Sequence, residues 1–344
     1  MIHTRVIAVA RDEPEVDILN EAAAVLLGGG LVAFATETVY GLGAVATDAE
    51  AVRRIFEAKG RPSFNPLIVH VAGIDQAKRY TTDWSARADV LARRFWPGPL
   101  TLVLPRTVDV PEVVTGGGPT VGLRVPAPTV ARRLVECVGL PLAAPSANRS
   151  NRISPTRAEH VLADLDGRVH LILDSGPTTV GLESTVVDLT ADPPAVLRPG
   201  PIGPAELAEA LSTTTVAPRS HGETETRQAG PHASPGMLSV HYAPRTPAVR
   251  VESSARLTDV DWPERAALVA FEPIDLNHIP AQVVRFIQPT SDVAAREFYE
   301  TLHNLDARRL DLIVAVEPPA GAEWDAIRDR LRRATIPYQR NKRR

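Results

Sequence analysis

The chain has 344 residues, of which 44% are apolar and 23% charged, with a formal net charge of −3; that length can bury a real core and suggests two domains. So even a balance gives no support to bulk nucleic-acid binding, and a single cysteine, Cys137, excludes an internal disulfide and zinc-type cysteine spacing, which fits a reducing, cytoplasmic compartment. The opening stretch MIHTRVIAVARDEPEVD carries no long apolar run, so neither a signal peptide nor a membrane anchor is expected.

In chain order, RVIAVA reads as a strand, EVDILNEAAAVLLGGG as a helix stopped by glycines, and LVAFA as a strand opening into the polar TETVYGLG, whose two glycines permit tight turning. Asp48 is placed to cap the helix AEAVRRIFEAK, which ends on Lys59. The next stretch, KGRPSFNPLIVH, cannot continue that helix, because proline fixes φ, lacks an N–H donor and restricts the residue before it. It reads as a loop entering a strand, with Lys59 and Arg61 close together and Asn65 behind them, an arrangement suited to an anion.

Further on, PLIVHV, PLTLVLP, TVGLRVP, LPLAAPS, VHLILDSG and STVVDLT read as short buried strands. The helical patterns between them include ARADVLARRFW, PTVARRLVECVG and TRAEHVLADL, the last with a capping-box spacing from Thr156 to Glu159. Cys137 falls in one of these helices and reads as a small buried apolar residue. Periodicity stops after GPAELAEALS. Residues 1–211 are therefore expected to form one α/β domain, 212–246 a linker rich in Thr, Ser, Gly and Pro, and 247–344 a second, smaller α/β domain with a largely parallel sheet. Within the linker, SPGMLSVHYAPRTP has more apolar and aromatic surface than a spacer needs, so it is expected to lie as an ordered lid over a concave site.

No Walker-type phosphate loop, dinucleotide fingerprint or histidine pair with zinc spacing occurs. Polar chemistry instead follows buried strands, where ligands of open α/β sheets collect. FATETVYGLG offers Thr36, Glu37, Thr38 and Tyr40; APSANRSNRISPT offers Ser146, Asn148 and Ser154; GLESTVVDL offers Glu183, Ser184 and Thr185. Arg124 lies among apolar neighbours in VGLRVP, where a guanidinium needs an anionic or carbonyl partner, and Arg198 ends the strand in VLRPGPIG. Taken singly, Thr38 or Ser184 reads as a backbone cap and His70 as a core histidine. Together these groups supply three arginines, a lysine, hydroxyls and amides without a nucleophile pair or an acid/base carboxylate dyad. Such a site works by holding and polarising anions.

The blocks FATETVYGLG, KGRPSFNPLIVH, WPGPLTLVL, VGLRVP, APSANRSNRISPT, ESTVVDL and LRPGPI, in this order, resemble the YrdC-type domain of the L-threonylcarbamoyladenylate synthases over residues 15–211. The linker and second domain resemble the longer, two-domain form of that family. The resemblance implies a YrdC-like twisted mixed sheet with helices, followed by a smaller Rossmann-like α/β domain. It also implies condensation of L-threonine, bicarbonate or CO2, and ATP to threonylcarbamoyl-AMP and pyrophosphate, for N6-threonylcarbamoyladenosine at tRNA position 37. L-Threonine contacts are then expected at Thr38, His70, Arg124, the backbone of Ala144, and Ser184. ATP contacts are expected at Arg61, Asn65, Thr120, Ser146, Ser154, Arg198 and Tyr242, with Lys59, Arg61, Ser146 and Asn148 as the catalytic signature. Mg2+ is expected to arrive on the phosphates, and the product to pass to a downstream threonylcarbamoyl-transferase machinery. Two departures stand out: the proline that usually precedes T-E-T is Ala35, and Leu238 and Val240 replace linker residues that are often polar or basic.

A second reading is a non-catalytic RNA-binding module, with weak tRNA binding through the basic tail RDRLRRATIPYQRNKRR. Arg124, His70 and Ser184 separate the two, since they suit a small amino-acid pocket and serve nothing on an RNA surface. A third, a carbamoyltransferase-related maturation factor, would bring acylphosphatase and zinc-finger segments, which this sequence lacks.

Overall fold

The computed structural model describes residues 2–212, 217–218, 242–277, 279–280, 282–288 and 290–339. They fall into two compact units, the first comprising Met1–Ser150, Pro155–Thr179 and Glu183–Met237, the second Asn151–Ser154, Val180–Leu182 and Leu238–Arg344. The main division lies inside the expected linker. Most of the expected lid segment lies outside the described residues; its end, from Tyr242, lies within them.

In the first unit the order is β1 (Arg5–Ala8), α1 (Val16–Leu27), β2 (Val32–Ala35), β3 (Tyr40–Val45), α2 (Ala49–Lys59), β4 (Ile68–His70), α3 (Ile74–Lys78), α4 (Ala86–Phe95) and β5 (Leu100–Pro105). There follow α5 (Glu112–Thr115), β6 (Thr120–Arg124), α6 (Thr129–Val138), β7 (Leu142–Ala143), α7 (Ala158–Leu165), β8 (Leu171–Asp174), β9 (Thr185–Asp188), β10 (Ala195–Arg198), α8 (Pro204–Ala210) and β11 (Ala217–Pro218). The strands join in one mixed sheet of order β1-β8-β2-β3-β7-β4-β6-β5-β9-β10-β11. Two apolar clusters cover it. One gathers the buried stripes of α1 (Leu19, Ala22, Ala23, Leu26) and α6 (Val130, Ala131, Leu134, Val135, Val138); the other holds α2, α4 and the central strands. These stripes recur every three to four residues, so one face of each helix is removed from water.

The second unit contains β12 (Ala248–Val251), β13 (Ala266–Ala270), β14 (Val284–Ile287), α9 (Ser291–Asp306), β15 (Leu312–Val316), α10 (Asp325–Ala334) and β16 (Ile336–Pro337), with strand order β14-β13-β15-β12-β16. Every pairing in it is parallel, as the alternation of strands and helices led us to expect. Its core is a separate cluster of Val249, Leu268, Val314 and their neighbours.

Four local expectations are corrected. YGLGAV is not a turn but β3, antiparallel to β2, and the tight turn is Thr36–Val39, closed by the Thr36 N–H on Val39 O at 3.2 Å. Gly43 is required there by packing: a Cβ would stand 2.8 Å from Phe34 Cε1. The Thr156 capping box does not form; Arg157 is the N-cap of α7 without a side-chain bond, and Thr156 Oγ1 instead lies 3.4 Å from His160 Nδ1. Cys137 is exposed, because α6 turns its buried stripe the other way. The short elements α3, α5, β12 and β16 were not anticipated, being too brief for a periodic signal.

Candidate active site

The turn after β2 builds the first part of the site. Thr36 Oγ1 donates to Val39 O at 2.7 Å and lies 2.7 Å from Thr38 Oγ1, so the turn is pinned by its own hydroxyls. Thr38 Oγ1 also accepts from Arg124 Nη1 at 3.1 Å. Arg124 ends β6, and its remaining groups are taken up nearby: Nε donates to Gly98 O at 3.2 Å, and Nη2 pairs with Glu37 Oε1 at 2.7 Å. Both side chains of that pair are almost wholly buried, at 4% and 6% exposure. Glu37 is itself fixed by the Ala127 N–H on Oε2 at 3.1 Å. Arg124 thus has both the anionic and the carbonyl partner that its apolar setting demanded.

Strand register puts His70 beside Arg124, since β4 and β6 are parallel with His70 opposite Arg124. The imidazole is buried, its edge packed against Phe34 with ring centroids 6.3 Å apart at 89°. Neither ring nitrogen has a hydrogen-bond partner among the described residues. Burial, reinforced by the Arg124 charge, pushes its pKa down to about 3, so the ring is neutral at physiological pH. A buried neutral imidazole with two unmet nitrogens is poised for a polar ligand.

The second part is the loop that follows α2. Asp48 caps that helix by accepting from the Glu50 and Ala51 N–H groups at 2.9 and 3.1 Å, and Gly60 ends it in the left-handed region at φ 60°. This fixes where Lys59 emerges. Its ammonium donates to the carbonyls of Ser146 and Asn148, while its own carbonyl accepts from the Ser150 N–H at 2.8 Å. Lys59 is therefore the clamp of the S-x-N loop. Burial above all, with the adjacent Arg61 charge second, holds its pKa well below the usual lysine range; Asp164 opposes the shift. Arg61 closes its own loop in the same way, with Nε on Asn65 O at 3.3 Å and Nη2 on Pro66 O at 3.0 Å. The Asn65 amide is buried at 1% exposure, and neither its oxygen nor its nitrogen meets a partner among the described residues.

Ser184 precedes β9 and is wholly buried; its hydroxyl lies 2.8 Å from Thr101 Oγ1 and accepts from Arg198 Nη2 at 3.1 Å, while Arg198 Nε donates to Ser184 O at 3.0 Å. Registers order all these groups along the sheet. His70 and Arg124 end β4 and β6, the start of β9 lies beside the start of β5, and Arg198 faces Val186, so His70, Arg124, Ser184 and Arg198 share one end. Ala144 donates to Ile68 O at 2.9 Å at the start of β4. Arg61, Asn65, the Ser146 loop and Thr120 lie toward the opposite end, where β4 and β6 begin. Thr120 and Arg124 are on one face of β6, about 13 Å apart at ~3.3 Å per residue.

Ser154 and Tyr242 belong to the second unit. Glu37 is the residue to which the sequence reading gave no role, although the buried arginine in VGLRVP called for a carboxylate and FATETVYGLG holds one. A cavity of about 190 Å³ is lined by Glu37 with Arg11, Thr36, Thr129 and Thr178 among others, and none of the residues expected to touch threonine or ATP lines it. Among the described residues no group of three or more His, Cys, Asp or Glu could hold a metal ion, and no helix is long and apolar enough to cross a membrane.

Two family models match the chain: residues 24–200 fit one described as telomere recombination, the Sua5/YciO/YrdC model, and residues 202–335 fit one described as the threonylcarbamoyl-AMP synthase C-terminal domain. A Pyrococcus abyssi protein named threonylcarbamoyl-AMP synthase is 41% identical over 320 residues, covering 91% of this chain and 93% of the relative. A Bacillus subtilis protein of the same name is 39% identical over 332 residues, covering 92% of each. The crystal structure of P. abyssi Sua5 complexed with L-threonine superimposes with a TM-score of 0.86 at 37% identity, covering 97% of this chain and all of that one.

Proposed function

The chain belongs to the two-domain threonylcarbamoyl-AMP synthase family, and from that membership we propose that it joins L-threonine, bicarbonate or CO2, and ATP into threonylcarbamoyl-AMP and pyrophosphate, for the N6-threonylcarbamoyl modification of tRNA position 37. The observation that supports the reading is the division of the first unit's sheet into two polar ends. At one end His70, Arg124 and Ser184 are buried polar groups of mixed character, with Thr38 bonded to Arg124, a set fit for an amino acid. At the other, Lys59 and Arg61 carry positive charge beside the unmet Asn65 amide, fit for phosphate oxygens. Two residues depart from this division: Arg198 lies with Ser184 although the resemblance assigns it to the nucleotide, and Ala144 lies at the start of β4 although the resemblance assigns it to threonine.

The chemistry follows from what these groups can do. The threonine amine captures CO2 as a carbamate, a carbamate oxygen attacks the α-phosphorus of ATP, and pyrophosphate leaves. Arg124, held by Glu37 and Thr38, orients the threonine carboxylate; neutral His70 offers a hydrogen bond without adding charge. Lys59 holds the Ser146–Asn148 loop in place, and with Arg61 it stabilises charge gathering on the leaving pyrophosphate. Mg2+ arrives on the triphosphate and needs no carboxylate cage from the protein. Omitting each co-substrate in turn tests the reading. Pyrophosphate release that requires threonine, bicarbonate and ATP together is expected, and undiminished release without threonine overturns it.

A further inference from the structure

Strands β1, β8 and β2 run parallel, with Ala8 opposite Asp174 and Leu173 opposite Phe34, so their carboxyl ends lie side by side. The region just past such ends is where ligands of open α/β sheets collect. The cavity of about 190 Å³ opens there: Arg11 follows β1, Glu37 follows β2, Thr178 follows β8, and Thr129 is the first residue of α6. Every residue lining it belongs to the first unit. None of them is expected to touch threonine or ATP, so the synthase reading leaves the cavity without a role.

Its lining offers donors that the fold does not use up. The Arg11 guanidinium braces its surroundings by donating through Nε to Ser175 O at 3.1 Å and through Nη2 to Pro177 O at 2.5 Å, which leaves Nη1 without a bond among the described residues. Thr178 is only 8% exposed, and its backbone is fixed by its N–H on Thr156 O at 3.0 Å. Its hydroxyl nevertheless has no hydrogen-bond partner among the described residues, a state that costs stability until a polar group meets it. The ten-residue helix α6 begins behind Pro128, which gives it no side-chain cap, and its first turn holds no acid. The N–H groups of that turn therefore keep their partial positive charge and have no intrahelical acceptor. Of the two acids in the lining, Glu37 has both oxygens engaged, by Arg124 Nη2 and by the Ala127 N–H, and Asp12 is exposed. A guanidinium, an unmet hydroxyl and a helix N-terminus are the groups that hold an oxyanion, and the volume admits only a small one.

We propose that this cavity is a binding site for a small oxyanion, held by Arg11, Thr178 and the N-terminus of α6. The site does not depend on the synthase reading, and its test reads binding alone. The full-length chain, with its threonine methyl groups labelled, is titrated in turn with sodium bicarbonate, acetate and inorganic phosphate at constant ionic strength, with chloride as the control, and followed by NMR. Saturable shifts at Thr129 and Thr178 are expected with at least one of the three anions and not with chloride. The anion that saturates them at the lowest concentration tells whether the site takes bicarbonate, an organic carboxylate or phosphate. Thr178→Val keeps the shape of the side chain and removes the hydroxyl, so the Kd read at Thr129 should rise about tenfold, the scale of one hydrogen bond to a charged group. Its melting temperature without the anion should not fall, because no hydrogen bond within the protein is lost. Arg11→Met should raise the Kd by at least as much; should that variant fail to fold, Thr178→Val decides alone. Shifts that drift without saturating, shifts that chloride reproduces, or a Kd unchanged in the folded variants overturns the proposal.

Discussion

The loop from Lys59 to Pro66 and the pocket around Arg124 both bury cations, but they satisfy them differently. Lys59 and Arg61 donate to neutral backbone carbonyls. Arg124 is paired with a carboxylate, Glu37, so its charge is largely neutralised. Each region also holds one buried neutral group without a partner among the described residues, Asn65 in the first and His70 in the second. On the proposed reading, the difference lets one sheet receive two unlike substrates. On the same reading, the end where two cations lie on backbone carbonyls suits a triphosphate, and the end with the ion pair suits an amino acid, whose own charges cancel.

The largest expected effect comes from unbalancing the neutralised region. Glu37→Ala leaves Arg124 buried without its anion, and a loss of about 3–5 kcal/mol in unfolding free energy is expected from urea melts. A loss under ~1 kcal/mol would mean that carbonyl partners suffice there too, and the contrast between the regions would fall. On the other side, Lys59→Ala removes both the loop clamp and a cation, so turnover should fall by about 10²-fold or more, the scale of one lost transition-state donor. Arg61→Ala should do the same. Near-normal pyrophosphate release from the folded double variant would return this loop to an ordinary basic turn.

Smaller effects sharpen the picture. Asp48→Ala removes the cap of the helix that delivers Lys59 and should cost about 1 kcal/mol of stability, read by thermal melt, with turnover lowered less than by Lys59→Ala. The smallest expected signal is the ring titration of His70, which should be absent near neutrality. Its folded value, about 3, lies below the ~6.5 of an exposed imidazole, so the unfolded chain takes up the proton first. Its contribution to stability is therefore complete above pH ~6.5 and is lost as pH falls toward 3. NMR of the ring should show no titration between pH 5 and 8, and an inflection near neutrality would refute the neutral-imidazole reading.

Much of the first unit was legible because its signals are local. The Asp48 cap, the prolines after Lys59 and the glycines after α1 each act within a few residues, and the corresponding elements stand where they were expected. The Thr156 capping box misled because the hydroxyl found His160 instead, a competition that spacing alone cannot weigh. Cys137 misled because a helix of mixed composition does not announce which side faces the core until its neighbours are in place.

By itself the sequence determined the alternation of strands and helices, the second domain with its parallel sheet, and the groups able to hold anions, since those depend on periodicity, turn chemistry and residue type. Only the tertiary structure decided how the groups are used. Glu37 and Arg124 are 87 positions apart, Lys59 and Ser146 likewise, and Ser154 is bonded to His303 across half the chain. Whether a buried cation meets a carboxylate, a carbonyl or an aromatic ring is settled by strand register and packing, because burial forces each polar group to find a partner and the fold alone fixes which one is near.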